Sequence, residues 1–259
     1  RRPRRAPRPR SRRIRLSRTS RAAPARGQAR VEELGEAARQ LSPVELTRSV
    51  LERIAAVDGK LHAYINLMAD SAMEEARVAE AEIVGGNWRG PMHGIPVAVK
   101  DQVDVEGAAA RIRQFTKGVG DATAVRRLRE AGAIMLGKLH MSSLPDADLP
   151  VPRNPWNTEH ITGGSSTGSG AAVSGGLCLG SLGEDTAGSI RNPSAFCGIA
   201  GLKATYGRVS RYGLAPLSWS LDHCGPMARV VEDTAHMLQA IAGHDPQDPT
   251  SSTAPVADY

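Results

Sequence analysis

From residue 161 to residue 183 the chain runs without a charged side chain, and most positions are Gly, Ser, Thr or Ala. This composition is too polar for a membrane span. Side chains this small suit close packing of loop, helix and strand against one another. The spacing predicts a Gly/Ser loop over 163–170, a short small-residue helix over 171–175 and a strand near 177–182. The rest of the composition agrees: the chain has 27 glycines and only 3% aromatics, so its core must be built from Ala, Val, Leu, Ile and Met.

The flanking segments read as alternating strands and helices. Ser42-Pro43-Val44-Glu45 has the form of a capping box with Pro at the first helical position, and an apolar stripe of Val44, Val50, Leu51 and Ile54 carries that helix to about residue 56. Residues 62–68 suggest a short strand, and Asp70 can cap a second helix that Gly85-Gly86 ends. Val97-Ala98-Val99 reads as a buried strand ending in Lys100. Asp121 is placed to cap a helix to Ala131, followed by a strand over 133–136. Residues 142–162, with four prolines, read as irregular, 184–191 as a loop, and 231–242 as an amphipathic helix. This alternation predicts an α/β fold without internal repeats.

Charge divides the chain. Thirteen of the 33 basic residues and none of the 27 acidic ones lie in residues 1–30, so the body is mildly acidic and the net +6 reflects the tail. Residues 1–30 are expected to be a disordered Arg/Pro-rich tail, with an organelle transit peptide or a nucleic-acid-binding arm as competing readings. Residues 31–259 are read as one domain. The chain does not begin with Met, and no secretory apolar region follows the arginines. Cys178, Cys197 and Cys224 suggest neither a disulfide framework nor a zinc site and fit a reducing compartment, so a cytoplasmic location is expected.

Several residues could carry chemistry. Gly164–Gly168 matches G-x-S-x-G with Ser166 in the nucleophile position, but Pro152, Pro155 and Trp156 stand where a strand should precede it, and that reading is rejected. Phosphate-binding glycine patterns fail: no Gly-Lys-Ser/Thr follows, and Val173 occupies the third glycine position of a dinucleotide loop. None of the seven histidines forms a metal pair. In Gly183-Glu184-Asp185-Thr186-Ala187-Gly188-Ser189 a strand leads into small residues before a serine. That segment is either a plain turn or a set of backbone donors converging on an oxyanion. Lys100, ending an apolar strand, is either a surface ion-pair partner or an amine whose desolvation makes it a base. Asp101 beside it should point to the opposite face.

Three segments together carry a resemblance: GIPVAVKD, TGGSSTGSGAAVSGG and LGEDTAGSIRNPSAFCGIAGLKATYGRVSRYG. They resemble the amidase-signature family, and the similarity extends over roughly residues 40–250. The family implies a mixed sheet covered by helices on both faces and a Ser–cis-Ser–Lys triad. By motif position the triad is Lys100, Ser165 (its peptide bond cis in the family) and the nucleophile Ser189. The resemblance implies oxyanion donors at the backbone of Thr186, Ala187, Gly188 and Ser189. It gives Asp185 and Arg191 a loop-orienting role, and places Ser166 and Ser169 within reach of the triad network. It implies carboxamide hydrolysis through an acyl-enzyme, with no metal or organic cofactor. The expected partner is a small-molecule amide, without membrane or nucleic acid beyond the basic tail. A homodimer or amidotransferase partner subunits stay open. The alternatives are the glutamine-hydrolysing subunit of a tRNA-dependent amidotransferase and a truncated, non-catalytic amidase-like domain.

The chain departs from the family pattern in places. Residues 107–114 read GAAARIRQ where a Thr/Ser-Gly-rich stretch is usual, so the lysine-side pocket wall is expected to be altered. Ala187 replaces a more frequent glycine. The chain ends at Tyr259 where family members continue, so a C-terminally truncated domain with exposed strand edges is expected.

Overall fold

A computed structural model describes residues 40–108, 120–141 and 149–259. The tail of residues 1–30 and most of the altered 107–114 segment lie outside the described residues. The described helices are α1 (Pro43–Leu61), α2 (Ala69–Val84), α3 (Thr123–Glu130), α4 (Thr167–Gly175), α5 (Arg191–Cys197) and α6 (Val231–Ile241). The described strands are β1 (Tyr64–Leu67), β2 (Pro96–Lys100), β3 (Ile134–Leu139), β4 (Arg153–Asn154), β5 (Asn157–Ile161), β6 (Gly180–Glu184), β7 (Ala200–Gly201) and β8 (Cys224–Ala228). Strands β4 and β5 pair with each other, and the rest form one sheet in the order β1-β3-β2-β6-β8-β7. The centre, β3-β2-β6, is parallel, and β1 and β8 flank it antiparallel. The fold is therefore α/β with a mixed sheet. No described helix is long and apolar enough to cross a membrane.

The two faces of the sheet carry separate cores. Val97, Val99 and Met135 pack with Val125 and Leu128 of α3 and Met237, Leu238 and Ile241 of α6. Ala98, Ile134 and Leu136 pack with Val50 and Ile54 of α1, Ala72 and Ala76 of α2, and Ala171–Val173 of α4. The alternation Val97/Ala98/Val99 thus feeds both faces, as a buried central strand must.

Helix α1 begins as its capping signal predicts, with Ser42 Oγ accepting the Glu45 N–H at 3.0 Å. It runs to Leu61, beyond the expected end, because Leu61 is buried in the second core. His62 then closes it at φ 55°, its N–H on the Asp58 carbonyl. The two expected aspartate caps are not formed. Asp70 lies inside the first turn of α2, behind Met68. Asp121 accepts the Glu106 N–H and pairs with Arg129, leaving Ala122 at the α3 N-terminus. Residues 153–161, expected to be irregular, form the β4–β5 hairpin. The Asn154 side chain turns it, accepting the Trp156 N–H at 3.0 Å and donating to the Phe196 carbonyl at 2.9 Å.

Helix α4 starts at Thr167, four residues earlier than its composition suggests. Glycine is a poor helix former, but here tertiary contact decides. A Cβ on Gly168 would lie 2.5 Å from the Ala63 carbonyl oxygen and the His140 nitrogen. Only glycine lets the first turn sit against that backbone. The strand expected at 177–182 is β6, shifted to Gly180–Glu184. Helix α5 and strands β7 and β8 were not anticipated from local pattern.

Candidate active site

The parallel strands β2 and β6 end side by side, and their last residues meet. Alternation along β2 puts Lys100 on the Ala98 side, toward the residues that precede α4. Lys100 Nζ lies 2.9 Å from Ser165 Oγ, 2.9 Å from Glu184 Oε2 and 3.4 Å from the Glu184 carbonyl oxygen. Its side chain is wholly excluded from solvent. Burial pushes its pKa below the ordinary lysine range, against the opposing pull of Glu184 and, further off, Asp185 and Asp222. Asp101 faces away from Lys100, with its carboxylate 3.6 Å from Lys138.

Ser165 follows a cis Gly164–Ser165 peptide bond. Just before it, Gly163 has φ 82°, and a Cβ there would fall 2.4 Å from Asn192 Oδ1, the atom that accepts the Gly164 N–H at 3.0 Å. Gly163→Ala should therefore cost about 1–3 kcal/mol from backbone strain and this clash, read as a lowered urea midpoint. Ser166 ties this loop to the next: its N–H donates to the Ser189 carbonyl at 3.3 Å and its hydroxyl to the Glu184 carbonyl at 3.3 Å. Ser169 does not join the cluster; its hydroxyl accepts from Ser181 at 2.9 Å and pins α4 to β6.

The loop after β6 is organised around Asp185, whose side chain is fully buried. Its carboxylate accepts the N–H groups of Gly188 (2.7 Å), Ile190 (3.1 Å) and Arg191 (3.3 Å). It also receives the Arg191 guanidinium through Nε (3.0 Å) and Nη2 (3.1 Å), and Lys203 Nζ at 3.1 Å. Although burial alone would raise it, these donors hold the Asp185 carboxyl well below the usual carboxylate range. Of the four backbone donors expected at an oxyanion, Gly188 is thus committed to Asp185. The amides of Thr186, Ala187 and Ser189 make no hydrogen bond among the described residues. Ser189 is half-buried, and its hydroxyl likewise has no partner among the described residues. Asp185→Ala leaves the mostly buried Lys203 amine and three amides without their acceptor at once, so it should lower stability by about 3–5 kcal/mol, measured by denaturant titration.

Residues 45–259 match the family model described as Amidase. The chain belongs to the amidase family. It is 48% identical over 231 residues to a subunit of the glutamyl-tRNA(Gln) amidotransferase of Moorella thermoacetica, covering 85% of this chain and 47% of that protein. It superposes on the native peptide amidase of Stenotrophomonas maltophilia with a TM-score of 0.78 and 40% identity, covering 90% of this chain and 50% of that one. It also superposes with a TM-score of 0.81 and 36% identity on a structure described as a vestigial protein complex that reveals the origins of an s-triazine catabolic enzyme, covering 89% and 52%. The chain spans about half the length of the curated relatives it matches.

Three polar residues at this amidase-family site escaped the sequence reading. Glu184 is paired with Lys100. Asp222 shares the Thr186 hydroxyl with Glu184, and Lys203 donates to the Thr186 carbonyl at 2.7 Å. Glu184 carried a signal, as the one charged residue in an otherwise small and apolar strand. Strict alternation would have grouped it with Leu182, away from Ser181, so its contact with Lys100 was not foreseeable from periodicity. Among the described residues no group of three His, Cys, Asp or Glu could hold a metal ion.

Proposed function

We propose that this chain cleaves a carboxamide C–N bond through a serine acyl-enzyme, as a stand-alone amidase, releasing ammonia or an amine. The observation that carries the reading is the 2.9 Å contact between the water-excluded Lys100 amine and Ser165 Oγ. Desolvation favours the neutral amine, which has a lone pair to accept a proton.

Neutral Lys100 takes the Ser165 proton as Ser165 takes that of Ser189. Ser189 Oγ attacks the amide carbon, and the oxyanion forms against the N–H groups of Thr186, Ala187 and Ser189. Gly188 serves this cradle indirectly, since its amide anchors the loop on Asp185. The proton returns from Lys100 through Ser165 to the leaving nitrogen, the C–N bond breaks, and water resolves the acyl ester by the same route. Asp185 and Arg191 hold the loop. The second hydroxyl link, from Ser165 to Ser189, is expected to close when substrate binds, because catalytic hydrogen bonds are often long in unliganded enzymes.

The test is fluorophosphonate labelling of the purified protein, with the modified residue mapped by peptide sequencing. Label on Ser189 is expected. A folded protein without label, or with label on another serine, overturns the reading and favours a non-catalytic amidase-like domain. The labelling rate should rise with pH, with its midpoint below the ordinary lysine value of about 10.4. The sign follows from Lys100: its folded pKa is lowered, and the competent form is the neutral one.

A second reading, favoured by the 48% identity to a subunit of an amidotransferase, is glutamine hydrolysis within an amidotransferase complex. Glutaminase activity that appears only with partner subunits would establish it over the stand-alone reading.

A further inference from the structure

Beside Lys100 lies a chain of oxygen atoms with too few protons. The Thr186 hydroxyl oxygen is 2.7 Å from Glu184 Oε1 and 2.6 Å from Asp222 Oδ1. A hydroxyl has one proton to donate. If both carboxyls were ionised, one of these short O···O contacts would hold no hydrogen between two electron-rich oxygens. One of the two carboxyls must therefore be protonated and donate to Thr186, which donates to the other.

The surroundings choose between them. Asp222 Oδ2 accepts two backbone N–H groups, from Leu217 and Ser218, each at 2.8 Å, and such donors favour an anion. Glu184 is wholly buried, with no backbone N–H on its carboxyl oxygens among the described residues; Oε1 meets Thr186 and Oε2 meets Lys100 Nζ. The other ionisable groups nearby are already settled. Asp185 is saturated by Gly188, Ile190, Arg191 and Lys203. Cys224, the register partner of Glu184 across β6–β8, is pushed up to about 12 chiefly by burial and stays a neutral thiol.

We propose that Glu184 is the proton-holding, positioning residue of the Lys100 base: its carboxylic acid, bridged by Thr186 to the Asp222 carboxylate, keeps the proton that an ionised Glu184 would place on Lys100. The proposal rests on the amidase reading for its consequence, though not for the proton count itself. Every contact is then satisfied. Two N–H bonds of neutral Lys100 point at the Glu184 carbonyl and Oε2, and its lone pair accepts from Ser165. Glu184 donates to Thr186 and Thr186 donates to Asp222. When acylation of Ser189 brings a proton to Lys100, the neutral Glu184 does not retain it as an ion pair. The proton is free to return through Ser165 to the leaving nitrogen.

Two substitutions separate this arrangement from a plain Lys100–Glu184 ion pair. Glu184→Gln reproduces the neutral acid, with its NH2 donating to Thr186 and its carbonyl accepting from Lys100. It should leave the acidic limb of the pH–rate curve where it stands in the parent. Asp222→Asn turns its NH2 toward Thr186, which sends the Thr186 proton to Glu184. Glu184 then ionises, Lys100 gains a proton, and the limb should move to higher pH by about one unit. In a plain ion pair both substitutions remove negative charge near Lys100, and both limbs would move to lower pH, which overturns the proposal. A readout independent of activity is the infrared carbonyl stretch of a protonated carboxyl at pH 8, expected in the parent and lost in Glu184→Gln. Its absence from the parent overturns the proposal even if Ser189 labels normally. Its presence in a protein that does not label sustains the proton assignment and sinks the amidase reading instead. Should either variant fail to fold, carbon-13 labelling of glutamate carboxyls in the parent decides: the band shifts if the acid is a glutamate and stays if it is an aspartate.

Discussion

Ser189→Ala is expected to abolish fluorophosphonate labelling and to lower amide hydrolysis by about 10^4–10^6-fold, the scale on which other serine hydrolases lose rate when the nucleophile is removed. Its fold should be unaffected. The Ser189 hydroxyl makes no hydrogen bond among the described residues, and its backbone carbonyl, which accepts from Ser166, is kept by alanine. The thermal midpoint should therefore stay within about 2 °C of the parent, less than 1 kcal/mol would shift it in a domain of this size. Loss of label with an unchanged midpoint assigns the nucleophile. Label that persists in the variant assigns it elsewhere.

Lys100→Met is the second large effect. Methionine fills nearly the same volume but has no lone pair and no N–H. Ser165 loses the partner at 2.9 Å that would take its proton, so acylation should slow by about 10^2–10^4-fold, the range of general-base contributions. The residual rate should no longer climb with pH through the range where the parent rises. A residual rate that keeps the parental pH dependence would show that another group, such as a histidine, is the base. The stability change reports on Glu184. A buried carboxylate left without its cation should cost about 3–5 kcal/mol, whereas a neutral acid already bonded to Thr186 should cost far less. Denaturant titration of Lys100→Met thus checks the protonation of Glu184 by a route independent of spectroscopy.

The triad candidates were placed by motif position within the family resemblance; local chemistry marked their surroundings without choosing them. Lys100 ends a strand of Val and Ala, and Ser165 follows two glycines. Ser189 follows a run of small residues after β6. The sequence could not separate candidate oxyanion donors from loop scaffold. Thr186, Ala187, Gly188 and Ser189 look alike in a one-dimensional reading, and only the 2.7 Å bond from Gly188 to Asp185 sets Gly188 apart. Ser166 and Ser169 were equally plausible members of the network. The start of α4 at Thr167 turns Ser169 toward Ser181 and leaves Ser166 against Glu184. The hairpin at 153–161 was obscured by prolines whose turn is set by a distant contact, Asn154 with Phe196.

Local sequence by itself determined the alternation of strands and helices, the two-faced burial of β2 and the small-residue packing around 161–183. These follow from period, capping and side-chain volume, which act over a few residues. Tertiary structure alone decided that Glu184 meets Lys100, that Asp222 reaches Thr186 from 36 positions away, and that Lys203 joins Asp185. The first two contacts join residues 84 and 36 positions apart. Their energies come from excluding water around charges that no local pattern of hydrophobicity records.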